Sequence, residues 1–158
     1  MRISINQKYY FTRDGGVVSI HSFTKSRSYN SYLETQFPYL GHKSSEDDMY
    51  AVSGRYNYSG QFYNGDNLYN KKTEHPNDIV ACCSRRQYDH IRRVTTIKSK
   101  IKPLIDDELG IMPTIPMNLN TCKTIMEFKN QESLNLFKIL VDKKLYDYYP
   151  PIEIIVKD

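Results

Sequence analysis

Three residue sets in this chain have types that could do chemistry: three cysteines, four histidines and one run of cations. Cys82 and Cys83 are adjacent, and neighbours in an extended strand point to opposite faces, so they cannot close a CxxC-type metal site. Cys122 is remote from both in sequence. An odd set of thiols has no even disulfide framework and fits an intracellular protein with free thiols. His21, His42, His75 and His90 show no HxH or HxxxH spacing. Only His42-Lys43-Ser44 has the form of half a two-histidine phosphoesterase signature, and the other half is absent. A Ser/His/Asp or Cys/His set can assemble in space from such common residues, so a small hydrolase or phosphoesterase stays open as one reading. The spacing itself favours a chain with no catalytic residues, no metal and no cofactor.

Asp14-Gly15-Gly16 offers successive backbone amides of the kind that cradle phosphate. The helix and lysine of a P-loop do not follow it. Its flanks explain it better. An aromatic arm, Tyr9-Tyr10-Phe11, and a β-branched arm starting at Val17-Val18 enclose residues that accept positive φ cheaply, which predicts a tight hairpin.

The cations are the one clear charge asymmetry. Net charge is only +4, which aids solubility without defining a nucleic-acid binder. Residues 84–102, however, hold Arg85, Arg86, Arg92, Arg93, Lys98, Lys100 and Lys102 against the single acid Asp89. Ser84 is a candidate N-cap. Ile91, Val94, Ile97 and Ile101 then recur at helical spacing, with Tyr88 at the edge of their stripe. Arg85, Arg92, Arg93 and Lys100 fall away from that stripe and Arg86 lies at its flank. Such a face meets an acidic protein surface, nucleic-acid phosphates or only water. Protein is the first expectation, because no RNP-like string accompanies the helix and the tyrosines that could stack bases sit in the other half.

After Pro103, the connector 104–119 carries Leu109, Ile111, Met112, Ile115, Met117 and Leu119, interrupted by Pro113 and Pro116. It cannot form one helix. It either packs across the sheet or forms an exposed apolar strip, the usual mark of a protein interface. The candidate partner-binding set is therefore Arg85, Arg86, Arg92, Arg93 and Lys100 with Ile111, Met112, Ile115 and Met117, an apolar centre edged by Arg.

The elements that would position these residues read as α+β. Strands are expected at 2–6, 8–12, 17–21, 49–53, 56–58 and 78–82, forming an antiparallel sheet or small barrel. Polar stretches 24–32 and 42–48 read as exposed loops. The helix 85–102 follows. A strand at 124–128, a helix opened by Asn130 or Gln131 with Leu134, Phe137, Leu140, Val141 and Leu145 on its apolar face, and a strand at 152–156 give a strand–helix–strand end. Two parts follow, 1–82 and 83–158, expected to share one core. No apolar run approaches ~20 residues, which argues against a transmembrane helix, and the alternation of Ile3 and Ile5 is a strand pattern, not a signal peptide. The 14 Tyr suit half-buried margins and interfaces. Free tyrosine-rich strand edges make a homodimer a natural expectation.

The string Tyr10-Phe11-Thr12-Arg13-Asp14-Gly15, the region Tyr58-Ser59-Gly60-Gln61-Phe62-Tyr63 and the closing Glu74-His75-Pro76-Asn77-Asp78-Ile79-Val80 together resemble a small β-module common among tailed-phage proteins. The middle departs from that module's glycine–aromatic–x–glycine form, and Ile79 stands where it has leucine. The resemblance covers about the first half. With its appended α/β half, the chain resembles the host-takeover class of T4-like phage early proteins, which includes inhibitors of the host ATP-dependent Lon protease. The resemblance implies a non-enzymatic protein of the host cytoplasm that binds a host protein machine, such as Lon protease, and inhibits or redirects it. Nucleic-acid association through residues 84–102 is the alternative.

Overall fold

A computed structural model describes residues 2–4, 6–23, 32–44, 52–65, 74–147 and 150–157. The architecture is α+β, and the chain divides into two compact units, Met1–Tyr88 and Asp89–Asp158. Each has its own buried apolar cluster.

The first unit contains β1 (Tyr9–Thr12), β2 (Val17–Phe23), the short helix α1 (Tyr32–Gln36), β3 (Tyr39–Ser44), β4 (Val52–Tyr56) and β5 (Ile79–Cys82). They form an antiparallel sheet in the order β4-β3-β2-β1-β5. The Asp-Gly-Gly hairpin is present: Tyr9 faces Ser19, Tyr10 faces Val18, and Gly15 takes a φ of 82° that its lack of Cβ permits. Tyr10, Val18, Tyr39, Tyr56, Ile79 and Ile3 form the core of this unit, with Ile20 and Phe62 against it.

Two expectations change here. Residues 2–4 form no strand, although Ile3 is buried and its N–H donates to the Tyr58 carbonyl at 2.9 Å. Residues 42–44, expected in an exposed loop, belong to β3. Their pattern hides the strand, because the inward positions are Tyr39, Gly41 and Lys43. Gly41 lies under Val18 and Ile20, where a Cβ would come within 2.8 Å of Val18 Cγ2. The loop expectation for 24–31 and 45–48 and the strand expectation for 49–51 lie outside the described residues.

The strand expected at 56–58 ends at Tyr56 because Asn57 turns the chain. Its Oδ1 accepts from Ser59 N at 3.0 Å and Gln61 N at 2.9 Å, and Gly60 follows with a φ of 87°. The returning segment bonds to both edge strands: Tyr63 N donates to Arg55 O at 2.9 Å and Ile79 N to Gly60 O at 2.8 Å. The segment therefore bonds to one residue of each edge strand.

Helix α2 (Arg85–Ile101) crosses the division between the units. Beyond it, the second unit holds a 3-10 turn at Lys102–Leu104 containing Pro103, then β6 (Ile125–Phe128), α3 (Gln131–Leu140) and β7 (Glu153–Val156). β6 and β7 are parallel, with Met126 opposite Ile154 and Phe128 opposite Val156. A parallel pair needs a crossover, and α3 supplies it. Asn130 caps α3 by accepting from Ser133 N at 2.8 Å. Leu134, Phe137 and Val141 are buried with Met126 and Phe128, whereas Leu140, expected on the same stripe, is 42% exposed. Among the described residues no helix is long and apolar enough to cross a membrane.

Candidate functional site

Helix α2 starts on a reciprocal cap. Ser84 Oγ accepts from Gln87 N at 3.1 Å while Gln87 Oε1 accepts from Ser84 N at 3.1 Å. Tyr88, Ile91, Val94, Ile97 and Ile101 are all buried along one stripe of the helix. Arg85, Arg86, Arg92, Lys100 and Lys102 are exposed, with Asp89 the one acid of the helix. Arg93 behaves differently from its expected role. It is half-buried, and its guanidinium donates to the Pro150 carbonyl, which makes it a structural tie in the second unit.

The connector also corrects the expected site. Ile111 and Ile115 are 4% and 2% exposed and belong to the core of the second unit, so they cannot form an apolar contact surface. Met112 and Met117 are at the surface, at 36% and 37% exposure. Thr114 N and O exchange hydrogen bonds of 2.9 and 2.8 Å with Glu127 O and N, which holds the connector beside β6. The segment is extended, not helical, and inward Ile111, Pro113 and Ile115 alternate with outward Met112 and Thr114.

The module motifs are spent on holding the first unit together. Asp14 Oδ1 accepts from the Thr12 hydroxyl at 2.6 Å and from Gly16 N at 3.1 Å, and its Oδ2 takes Lys43 Nζ at 2.5 Å. Burial pushes the Asp14 carboxyl up, but Lys43, Thr12 and Gly16 outweigh it and hold the group below its usual range. The Gly15 and Gly16 amides donate to Thr12 O and Asp14 Oδ1 within the hairpin and the Asp14 amide to Pro76 O, so Asp14-Gly15-Gly16 is no phosphate cradle. One strand away, Arg13 N donates to Asp78 O at 2.8 Å and Asp14 N to Pro76 O at 3.0 Å. The buried Asp78 carboxylate accepts from Phe62 N at 2.8 Å and His75 N at 2.9 Å, with Arg13 3.8 Å away. Thr-Arg-Asp-Gly, the 58–63 region and His-Pro-x-Asp thus meet as one lock.

A feature invisible in sequence spacing lies on the other face of the sheet. A register shift in β2 lets His21 stack on His42, with ring centroids 4.4 Å apart, and Ser53 Oγ lies 2.9 Å from His42 Nδ1. Burial first, then His42 and Lys8, lower the His21 pKa. The strand neighbours Ser19, His42 and Ser53 form one cross-strand row, which only the β2–β3–β4 register brings together.

Cys82, the last residue of β5, is exposed and Cys83, just beyond it, is buried. Among the described residues no three His, Cys, Asp or Glu side chains gather as a metal site. Tyr56 is core, Tyr63 packs on Phe37, and Tyr58 is 44% exposed beside Phe23. No protein-family model, curated protein or solved structure matches the chain.

Proposed function

We propose that this chain acts by binding, docking the exposed cations of α2 onto an acidic surface of a host protein machine and inhibiting or redirecting it without turnover. The observation that carries this reading is the orientation of α2. Its buried stripe turns Arg85, Arg86, Arg92 and Lys100 outward on a helix whose one acid is Asp89. The resemblance of the chain to T4-like phage host-takeover proteins supports the host cytoplasm as the place of action and the ATP-dependent Lon protease as the first target to assay.

Reversal of Arg85, Arg86 and Arg92 to Glu tests this. Capture of a protein from nuclease-treated host lysate is expected to fall steeply with salt and to be lost in the triple variant, while circular dichroism stays unchanged. Purified Lon protease degrading a protein substrate is expected to be inhibited stoichiometrically. Salt-independent capture that survives the reversal refutes the reading. Capture abolished by nuclease moves the same helix to nucleic acid.

A further inference from the structure

β7 pairs with β6 on one side and, among the described residues, with no strand on the other. The parallel ladder uses alternate backbone groups: Glu153 N donates to Thr124 O at 3.0 Å and Lys157 N to Phe128 O at 3.0 Å. Alternation along the strand then turns the backbone N–H and C=O of Ile154 and Val156 toward the outer edge. The strand is β-branched throughout its apolar positions, and Ile154 is 39% exposed. In the first unit the returning segment 57–63 bonds to Arg55 and Ile79 of the edge strands; the outer edge of β7 has no such bond among the described residues.

Charges usually guard an edge against association. Here they are of opposite sign and equally spaced about Ile155: Glu153 on one side, Lys157 on the other. We propose that β7 is the docking edge for a second copy of this chain, paired antiparallel about a two-fold axis at Ile155. Ile154 of each copy faces Val156 of the other and exchanges both hydrogen bonds with it. Ile155 faces its counterpart, and Glu153 faces Lys157 of the other copy, twice. Centring the axis on Ile154 or Val156 keeps the hydrogen bonds but sets Glu153 or Lys157 opposite an isoleucine, so charge selects the register. Glu127 already approaches Lys157 at 3.3 Å, yet that lysine side chain stays 59% exposed, open to a second carboxylate. The product is a four-stranded sheet, β6-β7-β7-β6, and it stands apart from the host-binding reading.

Sedimentation equilibrium of the full chain over a concentration series tests it. Val156→Pro deletes an outward N–H at a site where an edge strand tolerates proline. Concentration-dependent dimerisation is expected, weakened about tenfold or more by Val156→Pro with an unchanged circular dichroism spectrum. In a Glu127→Gln background, Glu153→Lys is expected to weaken the dimer and the added Lys157→Glu to restore it. A monomer at every concentration, a dimer indifferent to Val156→Pro, or a charge swap that fails to restore association overturns the proposal. If Val156→Pro does not fold, the charge swap decides it.

Discussion

Lys43 is 2% exposed and its ammonium sits 2.5 Å from Asp14, whose side chain is 17% exposed. Removing one partner of a buried pair costs about 3–5 kcal/mol, because the other charge loses its compensation. Asp14 lies near the surface, which places Asp14→Asn at the low end, about 3 kcal/mol. Lys43→Met is expected to cost less, about 1 kcal/mol: methionine keeps the apolar stem, and Asp14 keeps water and its bonds from Thr12 and Gly16. The double variant should therefore be more stable than Asp14→Asn alone, by about 2 kcal/mol on the same figures. Urea unfolding followed by tyrosine fluorescence reads all four corners of this cycle. Acid gives a second check. The Asp14 carboxyl is held low in the fold, so its contribution is complete above the unfolded value of about 3.9 and is lost as pH falls through the lower folded value. The gap between wild type and Asp14→Asn should close in that range. An Asp14→Asn variant within about 0.5 kcal/mol of wild type, or a Lys43→Met variant less stable than it, refutes the reasoning.

Further outcomes follow from burial and capping. Ile111→Ser and Ile115→Ser should each destabilise the second unit by about 3 kcal/mol or more, whereas Met112→Ser and Met117→Ser should stay within about 1 kcal/mol; urea titration separates the pairs. Ser84→Ala removes the acceptor for Gln87 N and should cost about 1 kcal/mol, with loss of amide protection confined to the first turn of α2 in hydrogen exchange.

Much of this architecture was legible because it is local. The hairpin at Asp14-Gly15-Gly16, the Ser84 and Asn130 caps and the Ile91–Ile101 stripe each depend on residues within a turn or two of one another. The candidate site was read only in part. The exposure of Arg85, Arg86, Arg92 and Lys100 follows from helical period alone, but Arg93 needed a carbonyl 57 positions away to become a tie.

By itself, then, the sequence determined turns, caps, helix faces and the α+β order, since short-range sterics and hydrogen bonds select them residue by residue. Only tertiary structure decided that Lys43 goes inside, because the hairpin that presents Asp14 to it lies 29 residues away. It likewise made β3 a central strand with Gly41 beneath Val18, stacked His21 on His42, and sent Ile111 and Ile115 into the core while Met112 and Met117 stayed out. Each of these rests on partners distant in the chain, and such pairing leaves no period or spacing in the local sequence from which it can be read.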